Sequence, residues 1–586
     1  MVRYYSTLLI WYVADTDNVF FCDKFKEAFK IKRFVSDLKK EFHGYNGKAF
    51  SQDAMAGLTV AAVALPLALA FGVSSGADAA SGLITAIFAG IFIGVLSGAS
   101  YQISGPTGAM AAILITLSVQ YGMQGVLLAG LLSGIILIVM ALLKVGKLVS
   151  YIPVPVMTGF TSGIAVIIAL GQIDNFFGTH SEGTGALAKL FSYGSLGFHP
   201  DMWALLFGVI TVLVMVLYPK KLENYCPSSL AAIIVAVALN FILNPDAAAS
   251  TVAEVGAIPH TLITKDSLLI NGINFSLIKP LIIPAFSIAM LGMIESLLCG
   301  AAAGKMKGEK LNSTRELVAQ GVGNIVIPLF GGIPATAAIA RTSVVIKSGG
   351  KTRMASVIHS LTLILSMFLL GGIMSRIPLA ALAGVLMVTA FRMNDWTAIK
   401  GFFSKKLKYS LMQYLLTMIA TVVFDLTTAI VIGVIVAMVI FILRVSNLEV
   451  SISDIDDKKL GYVEHRVHAN IKIVYLAGPL FFGTQDTLTP ELEALEEVKD
   501  LRAIVFSMRA VTHIDYSAIN EFENIVERFH RNGTEVLFCG VHPNVKAIMD
   551  QTELTHTVGE ECFLWDAVAA IEKLDDDLNI PPADMI

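Results

Sequence analysis

The sequence predicts an α-helical polytopic membrane protein of about fourteen transmembrane spans, arranged as a seven-plus-seven inverted repeat and followed by a small α/β domain. Three observations carry this. The 586 residues are 55% hydrophobic and only 15% charged, with a mean hydropathy of +0.71, against about 25% charged residues in soluble domains. Charge is also unevenly spread: residues 51–444 are about 9% charged and residues 445–586 about 26%, the contrast between a membrane domain and a soluble one. Finally, two Gly/Pro motifs of the same kind occur at corresponding places in the two halves. A wholly soluble globular protein is excluded.

Residues 1–50 read as a Lys-rich N-terminal segment. Its first apolar run, Leu8 to Val13, is too short for a signal peptide and lacks a small-residue cleavage site, so no cleavable signal is expected. From Ala54, apolar stretches of helix-spanning length recur between Gly, Pro or charged punctuation. The first seven begin near Ala54, Ala79, Pro106, Gly122, Val149, Met202 and Pro227; the second seven begin near Leu281, Glu316, Pro334, Ala355, Pro378, Tyr409 and Leu426. With the N-terminus inside, seventeen Lys and Arg fall in inner loops and only Lys189, Lys265, Lys279 and Arg376 in outer ones. That asymmetry supports an even span number and places both termini in the cytoplasm.

An odd number of spans per half inverts the second half relative to the first. The paired motifs are Ile103-Ser-Gly-Pro-Thr-Gly-Ala-Met110 and Gly331-Gly-Ile-Pro-Ala-Thr-Ala-Ala338. Each reads as extended chain, then Pro in the first turn of a half-helix, then small residues. Half-helices entering from opposite faces point their N-termini at one another near the midplane, where free N–H groups and partial positive charge favour an anion. Gly108, Ala109, Ala337 and Ala338 leave the backbone open to it. Small residues equally serve helix packing in membranes.

Glu295 sits mid-span among apolar residues, where an acid costs about 2.5–3.5 kcal/mol on insertion scales. A proton carrier, or a partner to a neighbouring helix, fits such a residue. Cys299, one turn on, shares its face. Arg341, about two turns into the second half-helix, fits two roles: a full positive charge beside the anion, or a side chain snorkelling to headgroups. Phe71, just after the Pro66 break, is placed to wall the same cavity.

Residues 445–459 read as a linker, 460–575 as the soluble domain and 576–586 as a tail. Val463 to Val474, Ala503 to Phe506 and Val536 to Cys539 read as strands and Glu521 to Arg531 as an amphipathic helix. No phosphate loop, metal cluster or catalytic constellation is recognisable. The five cysteines have no framework spacing, so no disulfide scaffold, metal or cofactor is expected, and no enzyme activity.

The sequence resembles the SulP (sulfate permease) anion transporters across roughly residues 50–575. The matching stretches are Ala64-Leu-Pro-Leu-Ala-Leu-Ala-Phe71, Gly105-Pro-Thr-Gly108, Pro153-Val-Pro-Val-Met-Thr-Gly-Phe160, Ile294-Glu-Ser-Leu-Leu298, Asn312-Ser-Thr-Arg-Glu-Leu-Val-Ala-Gln-Gly321, and Gly331-Gly-Ile-Pro334 running to Ala340-Arg-Thr342. The resemblance implies core and gate domains, an elevator mechanism, a homodimer in the bacterial inner (plasma) membrane, and a C-terminal STAS domain. It places the anion at Phe71, the amides around Thr107 and Gly108, those around Ala337 and Ala338, and Arg341. Asp515-Tyr-Ser517 falls at the phosphorylatable serine of the related anti-sigma-factor antagonists. In the sodium-coupled bicarbonate branch of the family, the positions of Glu295 and Cys299 are an Asp and a Thr that bind sodium. A thiol is a poor ligand for a hard cation, so proton coupling through Glu295 is favoured over sodium. The animal members' Gln after the first-span proline is here Leu67.

The expected function is therefore proton-coupled symport of a small oxyanion or carboxylate, with sulfate first and dicarboxylate or bicarbonate next. Sodium-coupled bicarbonate transport and anion exchange are the alternatives on the same fold; an anion sensor or channel with a STAS output is the alternative of another class. Expected partners are the anion, the coupling proton, the bilayer, a second copy and a cytoplasmic protein bound by the STAS domain, with no nucleic acid.

Overall fold

The computed structural model describes residues 31–578, apart from 184–185, 220, 223–225, 244–249, 257–260, 425, 457–459, 461–467 and 499. The segment Met1 to Asn18 lies outside the described residues. The chain divides into two compact units at Val434/Ile435.

Helices lie at the places where spans were expected, the third and fourth places sharing the run Gly108–Leu142 and the last helix, Leu426–Val445, crossing the division between the units. Seven helices are long and apolar enough to cross a membrane by length and composition, and Met202–Leu217, Ser228–Leu243 and Leu379–Arg392 are shorter apolar ones. Apolar side chains such as Ile283, Leu369 and Leu217 stand exposed on the first unit, as a lipid-facing surface requires.

Residues 1–50 contain a helix, Ile31–Glu41, whose last residue is bound to Arg353 at 2.7 Å. The next helix, Gly47–Ser74, begins on an Asn46 cap and carries Pro66 inside. Near its start Asp53, fully buried, accepts from the Lys351 and Thr352 amides, the Thr352 hydroxyl and Tyr45. The second span is Ala79–Phe88, a π-turn at Ala89–Ile93 and Gly94–Leu96. It lies tight against the first: a Cβ on Gly82 would come within 2.0 Å of the Ala68 carbonyl. Small residues permit such backbone approach in membranes.

The third and fourth expected segments form one continuous run, Gly108–Leu142, broken at Gly122 (φ 66°, ψ −176°). Only glycine adopts that backbone freely. The half-helices themselves start later than expected. Pro106 precedes the Thr107 cap and Pro334 lies four residues before the Ala338 cap, so neither proline is in a first helical turn. Both belong to extended arms, and those arms pair: β1 (Ser104–Gly105) runs antiparallel to β2 (Thr336–Ala337), Ser104 opposite Ala337.

The second unit is built on a five-stranded sheet in the order β3-β4-β5-β6-β7. β3 (Glu449–Asp454) is antiparallel to β4 (Ile471–Ala477); β5 (Ala503–Ala510), β6 (Glu535–Cys539) and β7 (Phe563–Leu564) follow in parallel. The expected linker 445–459 thus carries a strand, whose buried–exposed alternation is too weak to read without its partner. Of the strand expected at Val463 to Val474, residues 463–467 lie outside the described set, and the strand found begins at Ile471. The amphipathic helix is Tyr516–Arg531, longer than expected at its start because Asp515 caps it. Its apolar residues recur three or four apart, and Phe522 packs edge-on to Phe506 at 5.4 Å. Burying each such side chain contributes roughly 1.5–3 kcal/mol.

Candidate functional site

The β1–β2 pairing brings two helix N-termini together from opposite halves of the sequence. Thr107 (φ −128°, ψ 159°) caps Gly108–Leu142, its hydroxyl accepting from the Met110 amide. Ala338 (φ −113°, ψ 115°) begins Ile339–Lys347 with no side-chain cap. The opening amides of a helix have no intrahelical acceptor. Among the described residues, those of Gly108 and Ala109 and of Ile339 and Ala340 have none elsewhere either. The amides of Ala337 and Ala338 are engaged: one donates to Ser296 Oγ at 3.2 Å, the other to the Ile103 carbonyl at 2.9 Å. Within that neighbourhood, the amides without a protein acceptor among the described residues are those of the next two residues along.

Arg341 is 1% exposed. Its Nη2 donates to the Pro106 carbonyl at 2.8 Å, so the side chain crosses to the other half's arm instead of reaching headgroups. The two arms leave no room for side chains here. A Cβ on Gly105 would stand 2.2 Å from Arg341 Nη1, and one on Gly108 would stand 2.2 Å from Ile168 and 3.1 Å from the ring of Phe71. Phe71, buried in the first helix, therefore lines the space before the Gly108 amide. A cavity of about 760 Å³ reaches Gly108, lined by Ala112, Gln120, Gln172, Asp174 and Ser287 among others.

Glu295 stands half-buried on the helix Ile278–Lys307 and accepts from Thr107 Oγ1 at 3.0 Å. The carboxyl thereby touches the residue that caps the helix Gly108–Leu142. Cys299 is fully buried, its thiol donating to Thr342 Oγ1 at 3.4 Å, and Thr342 in turn accepts from the Ile103 amide at 3.1 Å. Four polar residues absent from the sequence-based set complete this region. Ser296 Oγ meets Thr336 Oγ1 at 2.9 Å, and Gln102 Nε2 donates to the Ser296 carbonyl at 2.7 Å; Thr342 is the fourth. Ser296 directly follows Glu295 and Thr342 directly follows Arg341, a placement beside a singled-out charge that was a usable signal. Gln102 and Thr336 lie on the two arms that the strand pairing brings beside Ser296.

In the second unit, Asp515 Oδ1 accepts from the Ala518 amide at 2.9 Å and Oδ2 from the Phe482 amide at 3.0 Å. Ser517 is two residues on, partly exposed, and its carbonyl accepts from Gln485.

The sulfate permease family matches residues 50–420. This chain belongs to that family. The STAS domain matches residues 462–569, within the second unit. Among its relatives, the putative sulfate transporter YvdB of Bacillus subtilis is 34% identical over 89% of this chain and 97% of its own length. The bicarbonate transporter BicA of Picosynechococcus is 30% identical over 89% and 94%. The fold is shared with murine Solute Carrier 26 family member A9 in the inward-facing state (TM-score 0.80, 17% identity, 93% of this chain and 94% of that one). The transmembrane domain of a cyanobacterial BicA matches 67% of this chain and 98% of its own, with a TM-score of 0.57 and 29% identity. Membership makes the chain a membrane anion transporter of the sulfate permease family carrying a C-terminal STAS domain.

Proposed function

We propose that this protein is a secondary active transporter of small inorganic or carboxylate anions, with sulfate first and dicarboxylate or bicarbonate next. The observation that carries the reading is the buried Arg341 guanidinium lying between two helix N-termini whose first amides have no acceptor among the described residues. A fixed cation and aligned N–H donors in a low-dielectric site bind an anion without reorganising. YvdB, a putative sulfate transporter, supports sulfate as the first choice.

Coupling is assigned to a proton on Glu295. A neutral Glu295 accepts or donates a hydrogen bond to Thr107 without opposing the anion; an ionised one sets a like charge beside it. Proton and anion thus enter together. The Cys299 thiol, already donating to Thr342, adds no oxygen for sodium. The core bearing the paired half-helices moves against the remaining helices as an elevator, within a homodimer in a bacterial inner membrane, with fourteen spans and both termini cytoplasmic. The STAS domain binds a cytoplasmic protein, and Ser517, near the N-terminus of its helix, is the position at which a phosphate would alter that surface.

A second reading, sodium-coupled bicarbonate transport, is favoured by the relatedness to BicA. Uptake of labelled sulfate into sodium-free proteoliposomes with an inward proton gradient separates the two. Uphill accumulation is the expected result, and excess unlabelled fumarate and bicarbonate rank the substrates. Accumulation only on adding sodium overturns the proton assignment; none under either gradient overturns sulfate symport.

A further inference from the structure

Arg341 is held at one nitrogen only. Nη2 donates to Pro106, whereas Nη1 is buried with no protein partner among the described residues. Nη1 lies beside Gly105, and the point a Gly105 Cβ would occupy is 2.2 Å from Nη1 and 3.5 Å from the Cα of Ala86 on the second span. One turn along that span, inside the π-turn, Gly90 faces another set of orphaned polar atoms. A Cβ on Gly90 would come within 2.1 Å of Ser360 Oγ and 3.1 Å of His359 Nδ1. His359 and Ser360 are both fully buried on the helix Met354–Met374. Neither imidazole nitrogen nor the Ser360 hydroxyl has a protein partner among the described residues. The Ser356 hydroxyl, one turn earlier, shows the ordinary alternative by donating to the Gly90 carbonyl at 2.9 Å.

Ala86 and Gly90 are four residues apart, about 6 Å along a helix. The space beside Nη1 and the space beside Nδ1 and Ser360 Oγ thus adjoin along one span, one turn apart. A cluster of three buried, unsatisfied polar groups is what folded proteins avoid, and sites offering a water about three partners are those that retain one. π-turns bulge a helix locally and recur at functional sites.

We propose that a water molecule is bound between Arg341 Nη1, His359 Nδ1 and Ser360 Oγ at the π-turn, and that His359 is through it a positioning residue for Arg341. The water accepts from Nη1–H and donates to Nδ1, which fixes the Nε2–H tautomer; its remaining valence meets the Ser360 hydroxyl. The guanidinium is then held from both ends, by a carbonyl in front and by water behind. The effect on anion affinity rests on the transport reading above; the water itself does not.

Two measurements test this. A cryo-electron microscopy map of the wild-type full chain, sharp enough to show ordered water, is expected to show density within hydrogen-bond reach of all three atoms; dry packing there overturns the proposal. In sulfate uptake, His359→Leu is expected to raise KM about ten-fold, the loss of one hydrogen bond to a charged group, with the maximal rate little changed. His359→Asn, which keeps a polar atom near the place of Nδ1, is expected to stay close to wild type. An unchanged KM in the Leu variant, or equal damage in both, overturns the positioning role. Should wild type transport no anion, the transport reading fails while the map still decides the water.

Discussion

Gly105→Ala puts a single methyl group where the site has no space for one. The backbone tolerates the change, since Gly105 is not among the glycines with positive φ. The new Cβ would stand 2.2 Å from Arg341 Nη1, whereas non-bonded heavy atoms settle near 3.5 Å. The guanidinium must therefore retreat by about 1 Å. Retreat breaks or bends the 2.8 Å bond from Nη2 to the Pro106 carbonyl, and hydrogen bonds to charged groups contribute roughly 1.5–3 kcal/mol. If that bond aims Arg341 at the anion, KM rises roughly ten- to hundred-fold. The assay is concentration-dependent uptake of labelled sulfate into proteoliposomes, with the amount of inserted protein matched to wild type. A variant that inserts normally and keeps its KM refutes the placement of Arg341 in the anion site.

Glu295→Gln should abolish accumulation driven by a pH gradient while sparing anion exchange, because the amide keeps a partner for Thr107 and cannot release a proton; gradient-driven accumulation at the wild-type level would remove Glu295 from coupling. Arg341→Ala should weaken anion affinity by at least ten-fold, as loss of a buried charge–anion contact of about 1.5–3 kcal/mol implies, read as KM in the same uptake assay, and an unaltered value would assign Arg341 a structural role only. Asp515→Ala removes a helix cap and the anchor of the Phe482 amide together, for about 1–3 kcal/mol of STAS stability. Calorimetry of the full chain should show a lowered transition for that domain, and an unshifted one would contradict the capping role.

Hydropathy made the membrane unit legible because helix length and Gly/Pro punctuation are local signals. Gly122 was read as the start of a segment from sequence alone, and a non-helical residue breaks the run there. Arg341 was legible as a charge in a half-helix, but its direction was not: only its bond to the Pro106 carbonyl, from residues far away in sequence, shows that it crosses to the other arm and not to headgroups. The start of each half-helix was misjudged for a related reason. Proline suits a first helical turn, yet here strand pairing between arms some 230 residues apart holds both prolines in extended chain. Gln102, Thr336 and the strand Glu449–Asp454 share that difficulty, since each acquires its role from a partner that no local pattern announces.

The β1–β2 pairing also constrains how the chain can be made. Ser104 and Gly105 find their ladder partners in Thr336 and Ala337, so a ribosome that has delivered only the first half has inserted an arm with unpaired peptide groups. Within a bilayer such groups are strongly unfavourable, and the arm must stay hydrated or held by an insertion factor until the second half arrives. The proposed anion site is thus among the last parts to form during biosynthesis. A first half expressed alone is expected to be captured by quality control, and co-expression with a separately encoded second half is expected to rescue it.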